Sequence, residues 1–173
     1  MTTELETSFL SAITSQVRAI LEADSYIIDK CQDSLKDPLD SFVRTEPLQI
    51  QHLQRDYTIS VYHTCKEFAI SNENGLCQIQ APIYIDLHRK SNKKDSIPLD
   101  KLDIFARTVL NILYGNDSLN GTVHYWEFNN KQIWKVSPDT GAKTDKMQES
   151  KLVDYIAQIT ILCHYSYNFS KYY

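Results

Sequence analysis

Residues 77–115, CQIQAPIYIDLHRKSNKKDSIPLDKLDIFARTVLNILYG, decide how this chain folds. From 79 to 87 every second residue is apolar: Ile79, Ala81, Ile83, Ile85 and Leu87. That is the period of a strand with one buried face. Pro82 has no N–H to give a ladder, which places it at an edge or a bulge. A basic stretch, RKSNKKDS at 89–96, follows as a loop. The period then changes: Leu102, Phe105, Ala106, Val109, Leu110 and Leu113 recur three and four apart, predicting an amphipathic helix over 99–114. Pro98 fits its first turn, and Gly115 suits a left-handed residue beyond its end. Ile104 falls on the polar side of this helix.

Similar patterns extend outward in both directions. Tyr155, Ala157, Ile159, Ile161, Cys163 and Tyr165 alternate in a strand over about 153–167, and the alternation continues through Tyr167 and Phe169. Tyr57 to Cys65 also alternates, and the polar turn at 71–75 joins it to the 78–89 strand as a long hairpin. Residues 121–128 and 131–136 read as a shorter hairpin around Asn129-Asn130, with Tyr125, Trp126, Phe128 and Trp134 on both faces. Near the start, Thr3 and Glu6 form a capping box for a helix whose stripe is Phe9, Leu10, Ile13, Val17, Ile20 and Leu21. Asp24-Ser25 ends that helix. Residues 26–56 read as an irregular connection holding one helical turn, and 137–150 as a mobile polar loop. The resulting order is α-β-β-α-β-β-β: a single α+β domain over 1–173, two-layered, with two helices on one face of a mainly antiparallel sheet.

The 173 residues suffice for a sizeable core, and 42% of them are hydrophobic. A net charge of −4 argues against a general nucleic-acid binder. No apolar run reaches the length of a membrane span, and the acidic start lacks the basic region of a secretion signal, so neither membrane nor export is expected. Four cysteines without framework spacing point to reduced thiols in a cytosolic setting.

Chemical motifs are weak. GAKT at 141–144 lacks the first glycine of a phosphate loop and reads as an ordinary loop. His63, Cys65 and Cys77, with Cys163-His164 from another strand, contain no close ligand pair of the zinc type, and packing explains them better than a metal. Tyr84, Asp86 and His88 share the polar side of one strand. Acid–base chemistry there would need a nucleophile that no motif supplies, so a solvated sheet face, or a protein contact, is the simpler reading. Arg89, Lys90, Lys93 and Lys94 form a basic loop suited to an acidic partner or to passing DNA, if it does more than solubilise a loop tip. The tail YSYNFSKYY offers Tyr165, Tyr167, Phe169 and Tyr172 either to its own core or to a partner. No cofactor is indicated.

The order of "ILEADSYI", "DSLKDPLDSF", "PIYIDLHRK", "LDIFARTVLNILYG", "GTVHYWEF" and "ITILCHYSY" resembles the tail-terminator (tail-completion) proteins of tailed bacteriophages and prophages. The resemblance covers most of the chain and includes no catalytic signature. It implies a non-enzymatic virion protein, assembled in the host cytoplasm and placed at the head-proximal end of the tail. There a ring, commonly of six copies, caps the tail tube, stops its growth and meets the head-completion or connector protein. For such a ring the candidate contact residues are Ile104, Tyr125, Trp126, Trp134, Tyr165, Tyr167, Phe169 and Tyr172, with the loop at Arg89, Lys90, Lys93 and Lys94. The competing readings are a head–tail connector or tube-like subunit, and a small binding module or enzyme using the Tyr84, Asp86 and His88 face.

Overall fold

The strand predicted from alternation is the spine of the structure. A computed structural model of the protein describes residues 8–31, 43–48, 56–73, 75–92, 97–128, 134–138 and 152–168. Within them the order is α1 (Phe9–Glu22), α2 (Ser25–Cys31), β1 (Val43–Arg44), β2 (Tyr57–His63), β3 (Phe68–Glu73), β4 (Leu76–Asn92), α3 (Pro98–Tyr114), β5 (Tyr125–Phe128), β6 (Trp134–Pro138) and β7 (Leu152–Asn168). The class is α+β. β4 and β7 pair antiparallel along their whole length without a register shift, from Leu76 opposite Asn168 to Asn92 opposite Leu152. The sheet path is β1-β2-β4-β7-β5, with β3 added to β4 and β6 to β7; among the described residues only the short β1–β2 pair is parallel.

Residues opposite one another in register share a face. One face carries Ile79, Ala81, Ile83, Ile85 and Leu87 of β4 beside Ala157, Ile159, Ile161, Cys163 and Tyr165 of β7, all buried. Both long helices cover it. From α1, Leu10, Ile13, Val17 and Leu21 are buried, and Phe9 packs on Tyr165 with ring centroids 4.3 Å apart. From α3, Phe105 meets Tyr57 of β2 at 4.8 Å, and Tyr114 meets Trp126 of β5 at 5.3 Å. These helices hold to this face because their apolar stripes have nowhere else to be buried.

The helix ends follow local hydrogen bonding. Ser8 caps α1 by accepting from the Ser11 N–H at 3.2 Å; the proposed Thr3–Glu6 box lies outside the described residues. Asp24 starts a second helix as well as following the first. Its Oδ1 accepts from the Tyr26 and Ile27 N–H groups at 2.9 and 3.2 Å, so α2 takes two turns where one was expected. Pro98 does sit in the first turn of α3, but Gly115 is right-handed (φ −67°, ψ −5°). The reversal comes later, where Leu119, Asn120 and Gly121 have φ of 48°, 58° and 79°. Asn116 closes it by accepting from the Asn120 N–H at 2.8 Å.

Three expectations about strands need correction. β2 does not run to Cys65: it stops at His63, and the partner side of β4 is taken up by a separate strand, β3. Pairing to β3 ends at Gln80 and pairing to β2 resumes at Ile83, so Pro82 falls where that side of the ladder is interrupted. The hairpin around Asn129-Asn130 does not form either. β5 and β6 both pair with β7, and the partner moves only from Ile161 to Ile159 while the chain advances from Phe128 to Trp134. A long central strand offering hydrogen bonds outcompetes a four-residue hairpin. Finally, the strands run further into the polar segments than alternation suggests: β4 reaches Asn92, and Ser137 and Pro138 pair with Ile156 and Tyr155. Residues 139–150 of the proposed mobile loop lie outside the described residues.

Candidate subunit interface

The helices leave one sheet face and two lateral edges for other uses. At the end of the sheet away from the β4–α3 connection, β3 forms one edge and β5 the other. β3 carries Phe68 and Ile70, 53% and 54% exposed, and Leu76 is exposed beside it at the start of β4. β5 carries Tyr125, 50% exposed, whose ring stacks on His164 with centroids 4.2 Å apart. His164 is buried beneath it; its Nε2 lies 3.0 Å from Glu127 Oε1 and 3.3 Å from Gln80 Nε2. Phe68, Gln80, His164 and Tyr125 are successive register partners. They form one row across four strands, with an exposed aromatic at each end. β3 was not singled out in the sequence, although Phe68-Ala69-Ile70 before a polar turn is a short apolar run of the kind that signals a strand.

The structure separates the residues proposed for contacts. Tyr125, Ile104 (55% exposed, on the outer side of α3) and Tyr167 are open to solvent. Tyr165 and Trp126 are not: of the two readings of the tail, Tyr165 takes its own core rather than a partner, and Trp126, a candidate contact residue, is buried within this chain. Tyr165 is 3% exposed, packs on Phe9 and donates its hydroxyl proton to the Glu67 carboxylate; burial, with that carboxylate beside it, pushes its pKa well up. Trp126 is buried between Tyr114 and Phe128, and its Nε1–H donates to the Asn116 carbonyl at 3.3 Å. Trp134 is registered opposite Ile159. Phe169, Tyr172, Lys93 and Lys94 lie outside the described residues.

Arg89 is not part of a loop. It is a buried β4 residue whose Nε donates to the Tyr57 hydroxyl at 3.0 Å, with its guanidinium 5.7 Å from that ring. Lys90 is also in β4, its N–H bonded to the Asp56 carbonyl. A β-strand that continues to Asn92 carries both out of the basic loop.

The face opposite the helices is less open than its alternation suggests. Asp86 and His88 are buried there, with Thr58 and Ser60 of β2. The segment after β1 accounts for part of the cover: the Ser60 hydroxyl donates to the Glu46 carbonyl, and the Leu48 N–H bonds Asp86. Tyr62 and Tyr84 stack at 5.4 Å, and Gln158 Nε2 donates to Asp86 Oδ1 at 2.8 Å and to the Tyr62 hydroxyl at 3.1 Å. Burial, with the Asp86 carboxylate nearby, raises the Tyr62 pKa. The arrangement is a largely hydrogen-bonded polar layer, in which the buried Thr58 hydroxyl has no partner among the described residues.

His63 and Cys65 meet, but Cys77 does not join them: its thiol is buried and directed at the Gln78 carbonyl. Cys163 is likewise buried in the core, whereas His164 belongs to the opposite face. Among the described residues no three His, Cys, Asp or Glu side chains are grouped to hold a metal ion. Also among them, no helix is long and apolar enough to cross a membrane.

No protein-family model matches the sequence, and no curated protein matches it significantly. Among solved structures, the fold is loosely similar to the sheath/tube terminator of an extracellular contractile injection system, in its extended state. The likeness has a TM-score of 0.36 and 13% sequence identity, and covers 90% of this chain and 56% of the other. This chain thus spans a little over half the length of that terminator.

Proposed function

We propose that the chain is a structural, non-enzymatic assembly subunit of a phage-type tail. In this reading it forms a ring that terminates the tail tube and presents a surface to the head-side connector. What supports the proposal is the sheet's pair of unlike open edges, Phe68 and Ile70 on β3 and Tyr125 on β5. A cyclic ring needs two different complementary patches on every copy, whereas a two-fold dimer needs only one. Exposed apolar strand edges are a liability that a lone subunit would blunt with charge or proline. Ile104 adds exposed apolar area outside the edges, suited to the tube or the connector.

The test is native mass as a function of protein concentration, with Ile70→Lys and Tyr125→Lys as variants. The unaltered chain is expected to reach a closed oligomer of about six copies, the number implied by the tail-terminator resemblance. Each variant alone should remain monomeric. Mixed in equal amounts, the two should give a dimer and no ring, because each retains the edge that the other lacks. A chain that stays monomeric at high concentration, or variants that assemble normally, would rule the reading out.

A further inference from the structure

Strand direction limits how the two open edges can meet. β3 is antiparallel to β4, β4 to β7 and β7 to β5, so the edge strands β3 and β5 run in opposite directions. Among the described residues β3 pairs only with β4 and β5 only with β7, which leaves the outer side of each to a partner. A neighbour placed by a ring rotation keeps its strand directions as it extends the sheet. Its β3 then lies antiparallel to β5, with hydrogen bonds perpendicular to the strands rather than slanted. An odd number of strands would have made that contact parallel. Side chains then select the register. Opposed residues share a face, and Phe68, Gln80, His164 and Tyr125 already form a row away from the helices. Setting Tyr125 opposite Phe68 of the next copy continues that row with an aromatic pair. The same register sets Glu127 opposite Lys66 of that copy, since one strand advances as the other retreats. Both are exposed, the Glu127 side chain by 53%. Two β5 edges meeting about a two-fold axis would bring Glu127 of each copy together with no cation, because the strand reads YWEF.

We propose that β5 of one copy and β3 of the next pair as antiparallel strands, with Tyr125 opposite Phe68 and Glu127 opposite Lys66. The occupant of each edge is a second copy of this chain, and the sheet passes unbroken between copies. The pairing rests on the assembly reading and adds to it a direction and a register. Glu127 Oε1 is held 3.0 Å from His164 Nε2 of its own chain, and its other oxygen is placed to accept from the neighbour's lysine. Registers displaced by two residues set Glu127 against Thr64 or Phe68 and lose the charge pair.

Disulfide trapping tests the register. In a Cys65→Ser chain, which lacks the exposed native thiol, Lys66→Cys and Glu127→Cys are introduced together and each alone. Opposed cross-strand cysteines are within reach of a disulfide. Mild oxidation of the paired variant should give a ladder of covalent oligomers on a denaturing gel, up to the native mass, and neither single variant should cross-link. Lys66→Cys with Tyr125→Cys, out of register, should close about tenfold more slowly. Phe68→Cys with Tyr125→Cys should close as readily as the first pair, and it decides if loss of the Glu127–His164 contact disturbs β5. Dimers from a single variant, or equal rates in and out of register, overturn the proposal. A native oligomer without a bond between positions 66 and 127 or 68 and 125 overturns the pairing and leaves the assembly reading standing. A chain that stays monomeric overturns both.

Discussion

Gln158 Nε2 donates to Asp86 Oδ1 across 2.8 Å, joining β7 to β4 on the face opposite the helices. Burial is the main influence on this carboxyl and raises its pKa. The bonds from Gln158, Tyr62 and the Leu48 backbone act in the other direction without cancelling it. The native chain therefore holds the Asp86 proton more tightly than the unfolded chain does. Between the ordinary value of 3.8 and the higher native one it binds more protons, so this group's contribution to stability declines as pH rises through that window. Asp86→Asn removes the desolvated charge and keeps an acceptor for Gln158. Urea midpoints measured from acid to neutral pH should fall less steeply for the variant than for the unaltered chain. Parallel curves would show that Asp86 is not under strain.

Neighbouring aromatics on β5 should behave oppositely. Trp126→Ala empties a site bounded by Tyr114 and Phe128 and should cost about 3 kcal/mol in urea unfolding. Tyr125→Ala loses a stacked contact with His164 at the surface and should cost less than about 1 kcal/mol. Its effect should appear in native mass, as weaker self-association. If Tyr125→Ala proves the more destabilising of the two to folding, the division between core and contact surface drawn here is wrong.

Asp24 explains a helix that hydrophobic pattern alone did not show. Its carboxylate takes two of the first N–H groups of α2, which buries Ile27 and Cys31. Asp24→Ala should destabilise by about 1 kcal/mol, the usual cost of a lost cap. Amide exchange at Tyr26 and Ile27 should accelerate more than exchange in α1.

Pattern revealed the long elements and located β2, β5 and β6, but missed β3 and the partners of β5 and β6, for a physical reason. β4, β7, α1 and α3 each repeat one period often enough to identify the buried face. Tyr165 keeps phase with Ile159, Ile161 and Cys163, so alternation itself directs it inward, under Phe9, rather than toward a partner. β3, β5 and β6 are four to six residues long, and their partners are chosen by the free sides of β4 and β7, which no local period reports. Asp86 and His88 read as solvated because nothing near them in sequence indicates that the segment after β1 is bonded to that face at Ser60 and Asp86. Cys65 was visible as half of an H-x-C pair, but its exposure and its contact with His63 Nδ1 come from the break in the β2–β3 edge.

Phe105 is where three elements converge. Fully buried on α3, its ring lies 4.8 Å from Tyr57 of β2 and 6.5 Å from Tyr26 of α2, and Arg89 of β4 bonds the Tyr57 hydroxyl behind it. Phe105→Ala removes the shared contact and leaves a cavity that two backbone layers cannot close, at a cost of about 3–5 kcal/mol. Phe105→Leu keeps most of the volume and should cost about 1.5 kcal/mol. Because domains of this kind are stable by only about 5–15 kcal/mol, the alanine variant should stay folded at room temperature but melt many degrees lower. Near-equal urea midpoints for the two variants would mean that α3 does not close over β2 and α2 at this residue.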